Sequence, residues 1–132
     1  MTDKKRNFPS PEADPDTERF WAAAKDGKLM IGSCKTCGQN HYYPRGMCPH
    51  CGGSDVELVQ ASGQGEIYSY SVLRRANPPY AIAYVTLKEG PTMMTNIVEC
   101  DLDSLTIGQK VELKFSPTED PEGPPVPTFK PA

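Results

Sequence analysis

Cys34-Lys35-Thr36-Cys37-Gly38 and Cys48-Pro49-His50-Cys51-Gly52 place four thiols within eighteen residues. In each knuckle two thiolates can converge on one ion, and the glycine after the second cysteine permits the positive φ of a tight turn. Two knuckles complete a tetrahedral cage. Ten residues separate Cys37 from Cys48, fewer than is usual for this pattern, so a short connecting hairpin is expected. Four sulfurs leave no open coordination position, so the expected ion is a structural Zn2+ held by Cys34, Cys37, Cys48 and Cys51. A rubredoxin-like iron centre would use the same sulfurs, since metal choice depends partly on availability. Disulfides are the third alternative. Met1-Thr2-Asp3-Lys4-Lys5-Arg6 leads into a Pro-rich polar stretch without an apolar core, so no secretory leader is expected. A cytoplasmic location then follows, and its reducing conditions favour metal over disulfide.

Other reactive residues do not assemble into a catalytic pattern. Cys100 follows an apolar strand and lies far in sequence from His41 and His50; it reads as a small buried residue rather than a nucleophile. With four thiols present, neither histidine is needed as a ligand. Glu99, Asp101 and Asp103 form an acidic cluster that reads as a solvated loop, and no Gly-rich phosphate loop is present. No catalytic residue is assigned, and catalysis by this chain alone is not expected. The strongest contact candidate is Arg74-Arg75-Ala76-Asn77-Pro78-Pro79-Tyr80, a stiffened loop with two guanidinium groups and an aromatic ring. Arg74, Arg75 and Tyr80 suit a ligand phosphate or an acidic partner, against the plainer reading of an ordinary surface loop.

The elements that must position these residues follow from composition and periodicity. The chain has 132 residues, one domain's worth, so ribbon and neighbour should fold together around the metal. Four thiolates and one divalent ion shift the formal charge of −3 by a further −2, to −5. Such a chain repels a long polyanion unless a basic face reverses the field, and none is visible. No apolar run approaches the ~18 residues of a transmembrane helix, so no membrane partner is expected.

Residues 1–13 and 116–132 are Pro-rich and read as tails, the first flexible, the second mobile or lying along a surface in extended form. Val126 and Phe129 would let the second one dock. Residues 14–27 read as a helix, with Asp14 as cap, Pro15 in the first turn and Gly27 at the end. Phe20 and Trp21 lie on its apolar face; Trp21 must bury against ribbon or barrel, or else in a contact with a partner subunit. The ribbon takes residues 28–55. From there the pattern is β, with strands over 56–61, 65–73, 80–87, 92–98 and 110–115, and a bend or bulge at Gly63 and Gly65. Five short strands suit an OB-type Greek-key barrel over 56–115. The expected fold is mainly β: an N-terminal helix, a rubredoxin-like four-cysteine zinc ribbon, and a five-stranded OB-fold barrel.

The order of parts then resembles a known family. Phe20-Trp21, the two cysteine pairs, Tyr43-Pro44-Arg45, Gly65-x-Ile67-Tyr68-Ser69, Ala83-Tyr84-Val85-Thr86-Leu87 and Leu105-Thr106-Ile107-Gly108-x-x-Val111 together resemble the zinc-ribbon plus OB-fold acyl-CoA-associated proteins. Members look like small accessory subunits of thiolases, related aldolases or enoyl-CoA hydratases. The resemblance implies a thiolase-fold partner that supplies the nucleophile and bases, with acyl-CoA held at the shared complex. Benzoylsuccinyl-CoA thiolase and a steroid side-chain aldolase are two such settings. The rival class is a nucleic-acid module in which Tyr68, Tyr70 and Tyr84 stack on bases; the acidic balance and the lack of interleaved Lys/Arg stand against it.

Overall fold

Residues 8–120 and 122–132 are described by the structure, a computed structural model. Of the expected flexible segment 1–13, the first seven residues lie outside the described ones. The rest is anchored. Phe8 bridges Thr118, its carbonyl accepts from the Glu119 N–H at 3.0 Å, and Ser10 Oγ bonds Thr118 Oγ1 at 3.1 Å.

Asp14 and Thr17 cap each other. Asp14 Oδ1 accepts from the Thr17 N–H and Thr17 Oγ1 from the Asp14 N–H, both at 3.0 Å, in the manner of a capping box. The turn they close leads into α1 (Glu18–Lys25), so the regular helix is shorter than the 14–27 expected. Gly27, at φ 76°, stops it. The Lys28 N–H returns to the Ala23 carbonyl and the Gly27 N–H to that of Ala24, as in a Schellman turn.

Two sheets follow. β1 (Met30–Cys34) is the centre of the ribbon sheet, flanked by β2 (Asn40–His41) and β3 (Val56–Gln60). β4 (Gln64–Leu73), β5 (Tyr80–Leu87), β6 (Thr92–Ile97), β7 (Lys110–Ser116) and β8 (Val126–Pro131) close a barrel in the order β4-β5-β6-β8-β7. The OB-type barrel therefore has five strands, but not the five expected. Residues 56–60 pair antiparallel with β1, from Met30 opposite Gln60 to Cys34 opposite Val56, and so belong to the ribbon. The missing strand comes from the segment read as a Pro-rich tail.

Strand parity explains how prolines enter β8. The Phe129 carbonyl accepts from the Val98 N–H at 2.8 Å, so Phe129 gives its main chain to β6. Pro127 and Pro131 share its parity and their absent N–H groups would also point away from β7, leaving the β7–β8 ladder intact. Phe129 itself is fully buried.

Along β5, Ala81, Ala83, Val85 and Leu87 point inward and alternate with outward Tyr80, Ile82, Tyr84 and Thr86. The bulge of β4 falls between Ile67 and Ser69, not at Gly63 or Gly65. Gly65 is instead a close approach: a Cβ there would lie 2.7 Å from Val85 Cγ1 and 2.9 Å from the Thr86 carbonyl oxygen. One apolar core runs from α1 and β1 (Phe20, Leu29, Ile31) into the barrel (Ile67, Val85, Met93, Phe129). Among the described residues no helix is long and apolar enough to cross a membrane.

Candidate metal centre

The two knuckles are near copies. Each first cysteine's carbonyl accepts from the glycine after the second, Cys34 from Gly38 at 2.8 Å and Cys48 from Gly52 at 2.9 Å. Both glycines stand at φ 76°, the left-handed conformation their turns require. β1 delivers Cys34, and the 3.0 Å bond from the Cys34 N–H to the Gln39 carbonyl folds the first knuckle back toward β2.

The four sulfurs lie within 4.8 Å of one another. Cys34 Sγ is 3.6 Å from Cys51 Sγ, and Cys37 Sγ is 3.7 Å from Cys48 Sγ. Four sulfurs at the Zn–S bond length around one centre stand ~3.8 Å apart, so the set fits a tetrahedral ion. The His50 N–H points at Cys48 Sγ and the Gly53 N–H at Cys51 Sγ, both at 3.4 Å, which helps the thiolates carry negative charge. The Cys37 N–H draws the Cys34 thiol down to about 6. Cys51 is lowered by the Gly53 N–H yet pushed up to about 12 by the Cys34 thiol beside it and by burial. A binding cation displaces whatever protons the thiols still carry. With four thiolates the coordination sphere is complete, and the ion's role is structural.

The other sequence-selected residues do not gather at this centre. Trp21 is buried, 8% exposed, against Phe20 with ring centroids 4.7 Å apart, and its Nε1–H donates to Tyr43 Oη at 2.9 Å. Its side chain is a packing element of the ribbon, the first of the two placements expected for it. Arg74 donates to Asp103 Oδ1 at 2.7 Å across the surface. Arg75 is exposed in the same loop, and Tyr80 is half-buried where β5 begins. Cys100 is half-buried, with Sγ 3.8 Å from the Ile97 carbonyl oxygen; burial, then the Asp101 charge, raise its pKa. The acidic cluster is structurally occupied: Asp101 accepts from the Asp103 N–H at 3.0 Å, and Glu99 pairs with Lys114.

A cleft of about 600 Å3 between ribbon and barrel, lined by His41, Arg45, His50 and Glu89, was not legible in the sequence. Glu89 joins the two units. Its Oε2 accepts from the Ser62 N–H at 2.9 Å and its carbonyl from Asn40 Nδ2 at 3.1 Å. In sequence, Glu89 is one polar residue of a turn; nothing local marks its long-range partners.

Fold and site together define a zinc-ribbon protein with an OB-fold barrel. Residues 21–57 match a family described as "ChsH2, rubredoxin-like zinc ribbon domain" and residues 58–116 one described as "ChsH2, C-terminal OB-fold domain". The chain is 36% identical over 129 residues to a "Probable enoyl-CoA hydratase alpha subunit" of Thermomonospora curvata, covering 94% of this chain and 40% of that relative's length. It is 30% identical to the "Benzoylsuccinyl-CoA thiolase subunit BbsA" of Thauera aromatica, covering 98% of this chain and 97% of that one. Among solved structures it is similar to one titled "Ltp2-ChsH2(DUF35) aldolase", with a TM-score of 0.79, 36% identity, and coverage of 92% of this chain and 98% of that chain. The chain belongs to this DUF35 family of zinc-ribbon and OB-fold proteins.

Proposed function

We propose that this chain is a non-catalytic small subunit of a thiolase-type acyl-CoA complex that cleaves a C–C bond by thiolysis or a retro-Claisen step, as in benzoylsuccinyl-CoA thiolase. The observation that carries the reading is the closed metal centre: four thiolates fill the ion's tetrahedron, so it has no position at which to activate a substrate. Cys100, the remaining thiol, has a raised pKa and is not activated as a nucleophile. The partner chain would supply nucleophile and bases, while ribbon and barrel support its active site and help retain the acyl-CoA. The likeness to a thiolase subunit over nearly the whole chain favours thiolysis; the aldolase and hydratase likenesses make those partners the alternatives.

The test is to purify the N-terminally tagged chain from its native host and identify co-eluting proteins by mass spectrometry. A thiolase-fold, aldolase or hydratase chain in stoichiometric amount is expected and names the reaction. Recovery of the tagged chain alone, or with nucleic acid, overturns the reading. In that complex Arg75, which is exposed and beside the Arg74–Asp103 pair, is the better of the two arginines for a coenzyme A phosphate. Arg75→Ala should raise the KM for acyl-CoA severalfold with kcat little changed; unchanged kinetics remove that assignment.

A further inference from the structure

The barrel has one weak seam. β6 and β8 run parallel and pair only at Ile97 and Phe129. The Leu87 N–H bonds the Pro91 carbonyl on the β5 side of the chain entering β6, and the Val98 N–H bonds Phe129 on the other side. Main-chain groups alternate along a strand, so those of Thr92 and Met94 point away from β5, toward the seam. No strand meets them there among the described residues. β8 does not meet them: it pairs with β6 at Phe129, and Pro127, the preceding residue of that parity, has no N–H to donate.

Beside this open edge lies a groove of about 330 Å3, walled by Phe8, Trp21, Ile82, Met94, Val126 and Pro127. Among the described residues its lining contains no charged one, and Met94, at its rim, is 61% exposed. We propose that the β6 edge and this groove form a strand-addition site for an uncharged, extended segment of the partner subunit, which pairs with the Met94 main chain and seats one large apolar side chain in the groove. The proposal rests on the reading of this chain as a subunit. Charge selects the occupant. A coenzyme phosphate, or a run such as Asp3-Lys4-Lys5-Arg6 of this chain, would bring unpaired charge to a wall that offers no counter-charge. An acyl chain would fill the groove but leave the Met94 amide and carbonyl without partners, whereas a polypeptide strand meets both needs.

The experiment uses the zinc-loaded 132-residue chain, free and in the complex purified with its partner. Hydrogen-exchange mass spectrometry should show the amides of Thr92 and Met94 slowed at least tenfold in the complex, beyond those already protected by β5. Met94→Lys places a charge at the groove, and Met94→Pro removes an N–H that no intrachain ladder uses. Both should weaken association at least tenfold, and Met94→Lys should leave the thermal midpoint of the free chain unchanged. Wild-type association by both variants, with no new protection over residues 92–96, overturns the inference and leaves the subunit reading standing. Self-association of the free chain that Met94→Lys abolishes overturns the partner as occupant in favour of a second copy. If the wild-type chain carries no partner at all, the subunit reading fails and this inference with it.

Discussion

Gly32 and His41 account for each other. A Cβ on Gly32 would lie 2.2 Å from His41 Nε2, so β1 carries no side chain where the imidazole lies flat on it. The ring is 3% exposed, and neither of its nitrogens has a hydrogen-bond partner among the described residues. Burial lowers its pKa, and the nearby His50 and Arg45 charges lower it further. The folded ring is therefore neutral at pH values where the unfolded one, at about 6.5, already binds a proton. Its contribution to stability is fully present above about pH 6.5 and is lost as pH falls through the depressed folded value. Chemical denaturation of the zinc-loaded protein should show stability falling below that pH, with a shallower slope for His41→Gln. An equal slope in the variant would assign the loss to other groups, the thiolates first.

At the scale of elements, β8 decides whether the barrel closes. Phe129 fills the core and gives its main chain to β6, while its neighbours Thr128 and Lys130 face β7, so the strand is bound on both edges. Phe129→Ala should destabilise the protein by about 3–5 kcal/mol, the usual cost of emptying a buried phenylalanine site. Urea unfolding measures this; a loss under about 1 kcal/mol would mean that the segment merely lies on the barrel. The helix works differently. Phe20 and Trp21 pack with Tyr42 and Tyr43 in edge-on pairs, so α1 is held by aromatic contacts with the ribbon rather than by its own short ladder.

For the whole molecule, the ribbon and barrel share one core, and Glu89 and Asn40 clasp them at the surface. Zinc removal should therefore reach beyond the ribbon. Chelation is expected to lower the midpoint of a single thermal transition in which the near-ultraviolet signal of Trp21, at the ribbon core, and the far-ultraviolet β signal are lost together. Separate melting of the barrel at its zinc-loaded midpoint would show that the shared core does not couple them.

The metal centre was the most legible part of the chain, because a four-thiolate cage built from two knuckles is a local arrangement: spacing brings each cysteine pair together, and Gly38 and Gly52 mark the turns. Residues 80–87 likewise read as a strand, with the bounds that β5 has. The choice of partners was a different matter. Residues 56–60 look the same whether they extend the ribbon or open the barrel, and only their long-range register with β1 assigns them. Pro127 and Pro131 argue locally against a strand, yet both direct the missing N–H away from β7, a property of parity in the assembled sheet that no neighbouring residue reveals. Trp21, Glu89 and the open edge at Met94 took their places in the same way, from contacts across the fold, which sequence order does not encode.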